Sequence, residues 1–293
     1  MYKYAITTDQ TADFPMALSK EDFGIIPMSY AIDGTIYDNK ETPFLSSQKF
    51  YDLLANGKTP STTIVKEQEA YDFFKKILDK GQDVLHISFS SAMSGCYQSY
   101  ISAAQRLNTE YKENKVYVVD SLGASIGEGL LCYYALLKRD EGADILENQK
   151  YLNDLRHHIA HSFTVNDMFH LYRSGRITMG KAIVGNTIKL KTLITVSDKG
   201  ILVPTNNVIG RKPAMKALVD KMEKNTKGYD NKLIIIGHAD CMDDAKTLKA
   251  MVQEKLKNVN IVITDIGPII GTHCGKGMLA LVYLTKDRTP SIK

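Results

Sequence analysis

The chain has 293 residues, 44% of them hydrophobic, and its 37 basic and 33 acidic side chains leave a formal charge of +4. This length exceeds one ordinary domain and predicts two packed units, each with its own core. The small, scattered charge gives no sign of a nucleic-acid partner. Because the opening stretch MYKYAITTDQ soon turns polar and no segment is long enough to span a bilayer, we expect a cytoplasmic protein.

Short apolar runs alternate with helical patterns through the first half of the chain. The strand-like runs are KYAITT, GIIPMSYAI, DVLHIS and KVYVVD. Between them, Tyr71, Phe74 and Leu78 fall on one face of a predicted helix. This alternation predicts parallel βαβ units.

A second series of strands and helices follows two long helical patterns. It begins at SFTVND, so we predict an N-terminal α/β domain over residues 1–161 and a C-terminal α/β domain over residues 162–293. Within the second series, Asp198, Lys199 and Gly200 lie between two apolar runs, which predicts a β-hairpin.

The serine-rich segment SFSSAMSG comes directly after the apolar run DVLHIS. It is not a nucleophile elbow, because no glycine stands two residues before Ser91 or Ser94. A helix predicted to begin near Ser94 would present hydroxyls and free N–H groups to an anion, and Gly95 would let a ligand approach the backbone. The alternative is an ordinary capping serine.

A second hydroxyl-rich segment has the same form. In KTPSTTIVKEQ, Ser61, Thr62 and Thr63 come just before a predicted helix. Two such helix starts could face one oxyanion, although capping explains part of the pattern.

Polar and glycine-rich segments near the two ends of the chain are further candidates. Asp9 and Asp13 follow the first predicted strand, where α/β folds bind ligands, and turn chemistry is the alternative. The segment GPIIGTHCGKG combines four glycines with His273, which indicates close backbone packing and an imidazole facing its neighbour. It fails the spacing of a nucleotide-binding P-loop.

Basic residues and cysteines give weaker signals. In LYRSGRI, Arg173 and Arg176 could bind a carboxylate or phosphate, or could contact the last carbonyls of a helix. His157 and His161 would share one face of a predicted helix, but no acidic partner lies beside them and we expect no metal. The cysteines, which include no close C-x-x-C pair, predict neither zinc nor disulfides. They are Cys96, Cys132, Cys241 and Cys274.

Six segments taken in order resemble the DegV family, whose members are bacterial fatty-acid-binding proteins. These segments are TTDQTADFP, IIPMSYAIDGTIYDN, TPSTT, SFSSAMSGCYQS, LYRSGRI and GPIIGTHCGKG. The resemblance covers almost the whole chain, and its most specific parts run from Ser90 to Gly95 and from Gly267 to His273. It implies a two-domain α/β fold, with a Rossmann-like parallel sheet in the first domain and the ligand at the domain junction.

The resemblance also implies which residues meet the ligand. Thr62, Ser94 and the Gly95 N–H would hold the fatty-acid carboxylate, with His273 and Arg173 close to it or to its phosphorylated form. Additional candidates are Ser61, Thr63, Asp9 and Thr272. No cofactor is expected apart from the fatty acid. The chain departs from the family pattern at Gln10, Cys96, Cys274 and Lys276.

In the family, the binding protein presents the fatty acid to a separate ATP-dependent fatty acid kinase. The acyl phosphate then passes to an acceptor enzyme of phospholipid synthesis, and transient peripheral contact with a membrane fits that role. The resemblance therefore implies a carrier and co-substrate with no catalytic activity of its own. Two alternatives stay open. One is a serine-dependent hydrolase or transferase that uses Ser94 with His273 as base. The other is a protein in which the lipid only stabilises the fold.

Overall fold

The structure is a computed structural model that describes residues 2–178, 190–286 and 288. The strands are β1 (Tyr4–Asp9), β2 (Phe23–Ile26), β3 (Tyr30–Ile32), β4 (Thr35–Tyr37), β5 (Pro60–Thr62), β6 (Asp83–Ser88), β7 (Val116–Asp120), β8 (Ile159–Thr164), β9 (Leu190–Val196), β10 (Leu202–Ile209), β11 (Leu233–His238), β12 (Asn260–Asp265) and β13 (Leu279–Leu284). The helices are α1 (Ser47–Ala55), α2 (Glu67–Leu78), α3 (Cys96–Glu110), α4 (Ile126–Asp140), α5 (Ile145–Leu155), α6 (Met168–Arg173), α7 (Arg211–Asn225), α8 (Met242–Lys255) and α9 (Pro268–Cys274). None of the helices within the described residues is long and apolar enough to cross a membrane.

The first half of the chain forms a parallel sheet, as the alternating pattern predicted. Its strand order is β2-β1-β6-β7, and each neighbouring pair is parallel. Every residue of β1 is buried, which fits a central strand covered on both faces. Helix α2 buries the predicted stripe of Tyr71, Phe74 and Leu78. The prediction of an α/β fold is confirmed.

A small three-stranded sheet corrects one prediction. Thr62 lies in β5, where it pairs with Tyr30 of β3, so Ser61 and Thr62 belong to a strand and not to a helix start. Helix α2 begins only at Glu67, and Glu69 accepts a hydrogen bond from the Lys66 N–H at 2.9 Å. The hydroxyl-rich segment is a strand because its backbone pairs with β3.

The second sheet is mixed and has the order β10-β9-β8-β13-β11-β12. Strands β9 and β10 form the predicted antiparallel hairpin, and β11 and β12 pair in parallel. The predicted domain boundary between residues 161 and 162 lies inside β8, which pairs with β13 and β9.

The two histidines considered for a metal site do not share a helical face, because α5 ends at Leu155. His157 lies in a short 3-10 turn and His161 lies on β8, where the run IAHSFT forms a buried strand.

Helix α4 joins the two main sheets. It packs against β1 and β6 on one side and against β8, β11 and β13 on the other. A helix that is buried on all sides carries mainly apolar or small residues around its circumference, and α4 does so in its first three turns apart from the buried Glu128. Gly129 lets it approach the loop after β1, since a Cβ atom there would lie 2.7 Å from the Ala12 carbonyl oxygen. One continuous apolar core therefore runs from the first sheet to the second.

Candidate functional site

A cavity of about 700 Å³ lies between the small sheet, α9, α6 and the inner face of the second main sheet. Its surface is mostly apolar, and its volume is within the range of about 300–1,000 Å³ typical of small-molecule sites. The interior is lined by buried residues such as Ile126, Phe163, Val196 and Val282. Exposed lining residues, among them Ser61 and Thr63, mark its mouth.

Thr62 and His273 meet in the wall of this cavity. The Thr62 hydroxyl is 3.0 Å from Nε2 of His273, and Nδ1 of His273 is buried with no hydrogen-bond partner among the described residues. Burial, together with the nearby Arg176 guanidinium, lowers the pKa of His273 to about 4. The imidazole is therefore neutral at physiological pH.

The glycines around His273 fix the position of α9. A Cβ atom on Gly271 would lie 2.4 Å from the Tyr51 hydroxyl oxygen, so this face of α9 packs directly against α1. The Tyr51 hydroxyl donates to the Ile266 carbonyl at 2.8 Å, and Asp13 accepts from the Gly267 N–H at the helix start at 2.8 Å. The close backbone packing predicted from the glycine-rich sequence is present.

The serines of the SFSSAMSG segment have separate partners. Ser90 donates to the Gly200 carbonyl of the β9–β10 turn at 2.8 Å, and Ser91 donates to Asp120 at 2.5 Å. Ser94 lines the cavity, and its hydroxyl oxygen accepts from the Cys96 N–H at 3.3 Å. Gly95 is the capping residue of α3 and lies just outside the cavity lining.

Two arginines line the cavity in different surroundings. The Arg173 side chain is 57% exposed and lies 3.8 Å from a carboxylate oxygen of Asp167. Arg176 is half-buried, donates to the Ser174 carbonyl and has no carboxylate partner in the part of the chain that the structure describes. Burial lowers the pKa of Arg176 below its usual value. From the sequence, both arginines were candidates to bind a carboxylate or phosphate. The family resemblance named only Arg173.

The additional candidates are divided by the structure. Ser61, Thr63 and Thr272 line the cavity, and the Thr272 hydroxyl donates to the Pro268 carbonyl at 2.8 Å. Asp9 lies outside the lining, fully buried, where it accepts from Thr11 and from the Tyr100 hydroxyl.

The departures from the family pattern also have defined places. Gln10 accepts from the Met28 N–H at 2.9 Å, and Cys96 is buried at the start of α3. Cys274 lines the cavity, and burial raises the pKa of its thiol to about 12. The Lys276 ammonium pairs with Asp240 at 2.5 Å and lies outside the lining.

The geometry gives little support to a serine enzyme. Among the described residues, His273 bonds to Thr62 and not to Ser94, and no carboxylate orients its other nitrogen. A catalytic triad needs both contacts. The described part of the chain also holds no group of three or more metal-ligating side chains.

The fold and the cavity define an α/β protein with two main sheets and a cavity, apolar inside and polar at its mouth, whose volume is typical of small-molecule sites. A family model described as "Uncharacterised protein, DegV family" matches residues 3–286. The chain belongs to the DegV family, as its motifs indicated.

Relatives resemble this chain over their whole length. A DegV domain-containing protein of Clostridium perfringens is 34% identical over 291 residues, which cover 99% of this chain and 100% of the relative. A crystal structure of a DegV lipid-binding protein from Thermotoga maritima has a TM-score of 0.83 at 26% identity and covers 98% of this chain and 100% of its own. The fatty-acid-binding DegV family protein of Streptococcus agalactiae has a TM-score of 0.84 at 26% identity, with the same coverage.

Proposed function

We propose that this protein binds a long-chain fatty acid, with the acyl chain in the cavity and the carboxylate near its mouth. The observation that carries the proposal is the cavity itself, because hydroxyls and the half-buried Arg176 guanidinium line an otherwise apolar enclosure. At about 0.8 kcal/mol for each CH₂ group removed from water, a long acyl chain supplies on the order of 10 kcal/mol before ordering costs. The fatty-acid-binding relatives support the same ligand.

The carboxylate has a small set of proposed partners. Thr62 and Ser94 donate their hydroxyl hydrogens, and the Gly95 N–H at the start of α3 is a further donor. Arg176, which has no carboxylate of its own in the described structure, supplies positive charge. His273 positions the Thr62 hydroxyl from behind.

We further propose that the bound fatty acid is the substrate of a separate kinase and that this protein is a cytoplasmic carrier. A carboxylate held by hydroxyls and an arginine stays ionised, and an ionised oxygen is the nucleophile that phosphoryl transfer requires. In this proposal Arg173, which is exposed and lines the cavity, meets the transferred phosphoryl group. The product, an acyl phosphate, would pass to an acceptor enzyme of phospholipid synthesis.

The first experiment is native mass spectrometry of the freshly purified protein, followed by solvent extraction of the ligand. We expect a stoichiometric fatty acid that is lost when Thr62→Ala and Ser94→Ala are combined. Ser91→Ala is the matched control, because that serine bonds to Asp120 away from the cavity. A protein that is empty and takes up no added fatty acid contradicts the proposal, and labelling of Ser94 by a phosphonate probe would favour the enzyme instead.

The kinase step has its own test. The loaded protein is mixed with a purified bacterial fatty acid kinase and MgATP, and acyl phosphate is trapped with hydroxylamine. We expect Arg173→Ala to keep its fatty acid but to yield much less hydroxamate than the unsubstituted protein. Equal yields from the two proteins would contradict the role of Arg173, and no yield from either would contradict the kinase partnership.

A further inference from the structure

His161 is a polar side chain in an apolar part of the cavity wall. It lies on β8, is only 5% exposed, and has Phe163, Val196 and Val282 as neighbours in the lining. Burial lowers its pKa well below the usual value of 6.5, so the imidazole is neutral. A histidine in this place needs an explanation, because carboxylate binding at the mouth does not use it.

Both ring nitrogens of His161 are already satisfied by the protein. Nε2 accepts a hydrogen bond from the Ala124 N–H at 3.3 Å, so the neutral ring carries its hydrogen on Nδ1. That Nδ1–H donates to the Ile159 carbonyl at 3.2 Å. The ring therefore has no hydrogen bond to offer a ligand, and it acts on a ligand through its shape.

The ring also packs against the backbone at two glycines, one before α4 and one within it. A Cβ atom on Gly127 would lie 1.8 Å from Nε2 of His161, and one on Gly123 would lie 3.2 Å from the same atom. The imidazole fills the space that side chains at these positions would occupy. It cannot swing toward α4, so it forms a rigid part of the wall.

The strand register indicates that the cavity lining ends at His161 along β8 and at Val282 along β13. Side chains of paired residues point to the same face of a sheet, and His161 pairs with Val282 of β13. Both residues line the cavity, whereas the next pair on that face, Ile159 and Leu284, is buried in the core outside the lining. At its other end, β13 begins directly after Met278, and Met278 lines the cavity together with His273 and Cys274 of α9.

We propose that His161 limits the length of the fatty acid that this protein accepts, by closing the cavity opposite the carboxylate. The inference rests on the proposed function, since it assumes a fatty acid anchored at the mouth. A straight chain that enters past Thr62 extends along β13 until its terminal methyl meets the imidazole and Val282. A longer acyl chain would have to displace a ring that is fixed by two hydrogen bonds and by close packing against the backbone at two glycines.

The test compares which fatty acids the delipidated protein takes up from an equimolar series of straight saturated acids, lauric to arachidic, read by native mass spectrometry. For His161→Ala we expect the preferred length to increase by about two carbons, because the core fills the space of the lost ring only in part. Thr164→Ala is the matched control, since Thr164 alternates with the lining residue Phe163 along β8, is buried and lies outside the cavity lining. Its length distribution is expected to match the unsubstituted protein.

Two other outcomes separate this proposal from the proposed function. Uptake by His161→Ala with unchanged lengths would overturn the role of His161 while leaving fatty-acid binding intact. Uptake of no acid by any of the proteins would overturn fatty-acid binding, and the length limit with it. If His161→Ala does not fold, Val282→Ala opens the same end of the cavity, and the same lengthening is expected.

Discussion

Thr62 and His273 are 211 residues apart in the chain, and their side chains lie 3.0 Å apart in the wall of the cavity. The first comes from the small sheet of the N-terminal half and the second from α9, near the end of the described chain. The contact between Thr62 and His273 therefore links the two halves of the chain at the place where we propose that the carboxylate binds. We therefore expect a substitution of either residue to change both the stability of the fold and the affinity for the ligand.

His273 makes stability depend on pH in a predictable direction. Its folded pKa of about 4 is below the ordinary 6.5, so between these values the unfolded chain binds a proton that the folded protein does not. The free energy of unfolding therefore rises with pH across this window, by up to about 1.4 kcal/mol per pH unit from this group. Above pH 6.5 the contribution is constant.

The prediction is that His273→Gln removes this rise, as measured by urea unfolding of the ligand-free protein at about pH 4.5 and about pH 7. Thr62→Val is the control, because it removes the hydroxyl partner and keeps the titrating ring. If His273→Gln retains the full pH dependence of the unsubstituted protein, the buried, neutral imidazole is not its source.

The two arginines are expected to separate ligand binding from kinase coupling. Arg176→Met removes the half-buried cation and should weaken fatty-acid binding at least about tenfold, since a hydrogen bond to a charged group is worth about 1.5–3 kcal/mol. Arg173→Met, at an exposed position, should change the affinity by less than about twofold. Displacement of a fluorescent fatty acid from the delipidated protein measures both, and the reverse order of effects would contradict the assignment.

The main elements of the fold were predictable because they depend on local patterns. Alternating apolar runs and helical stripes identify β1, β6, β7 and α2, and the turn residues around Gly200 identify the hairpin. The pattern did not predict the pairing of β5 with β3, because a strand of three residues that begins with a proline and a serine carries little strand signal. Only the long-range pairing with Tyr30 makes Thr62 part of a strand.

Parts of the site depend on tertiary packing that no local pattern contains. Arg173 and Arg176 are three residues apart in one short sequence segment, yet Arg173 is exposed and Arg176, after the turn at Gly175, is half-buried. The sequence pattern predicted that His161 lies on a helix, whereas it lies on β8 and pairs with Val282 of β13. In both cases the role that we propose depends on burial, and burial is set by elements far away in the chain.

Gly95 tests whether the ligand approaches the start of α3. Its φ of −75° is accessible to any residue, and an added Cβ atom would meet only Ile64 at 3.9 Å. Gly95→Ala should therefore leave the unfolding free energy within about 0.5 kcal/mol, while a methyl group beside the carboxylate should lower the affinity on the order of tenfold. Thermal unfolding and fatty-acid displacement measure the two effects, and unchanged affinity would remove the Gly95 N–H from the proposed site.

Gly271→Ala provides the opposite comparison. An added Cβ atom there would lie 2.4 Å from the Tyr51 hydroxyl and 2.9 Å from the Phe50 ring, both buried. Overpacking of this kind costs about 1–3 kcal/mol, so we expect a lower unfolding midpoint together with weaker fatty-acid binding as α9 is displaced. A variant as stable as the unsubstituted protein would show that α1 and α9 can move apart without loss.

Asp9 and Glu128 are buried carboxyl groups that both contact the Thr11 hydroxyl in the core. The Thr11 hydroxyl lies within hydrogen-bond distance of both carboxyl groups, although it can donate to only one of them. Burial raises the pKa of Asp9 above its usual value, but Asp9 also accepts from the Thr11 N–H and from Tyr100, and these contacts oppose the rise and favour its ionised form. Glu128 is therefore the protonated partner and donates to the Thr11 oxygen, in keeping with the burial that raises its pKa well above 4.5.

This assignment predicts that Glu128→Gln stabilises the protein at neutral and alkaline pH. Because the folded pKa of Glu128 exceeds its unfolded value, the folded protein retains a proton that the unfolded chain releases, and stability falls as pH rises above about 4.5 by up to about 1.4 kcal/mol per unit. A glutamine can donate to Thr11 and accept from Thr8 without titrating. The advantage of Glu128→Gln in urea unfolding should therefore grow between about pH 5 and about pH 8.

Glu128→Ala, which loses both contacts and opens a cavity, should be less stable at every pH. If the stability advantage of Glu128→Gln does not change with pH, Glu128 is ionised in the folded protein and the assignment of the proton to Glu128 is wrong.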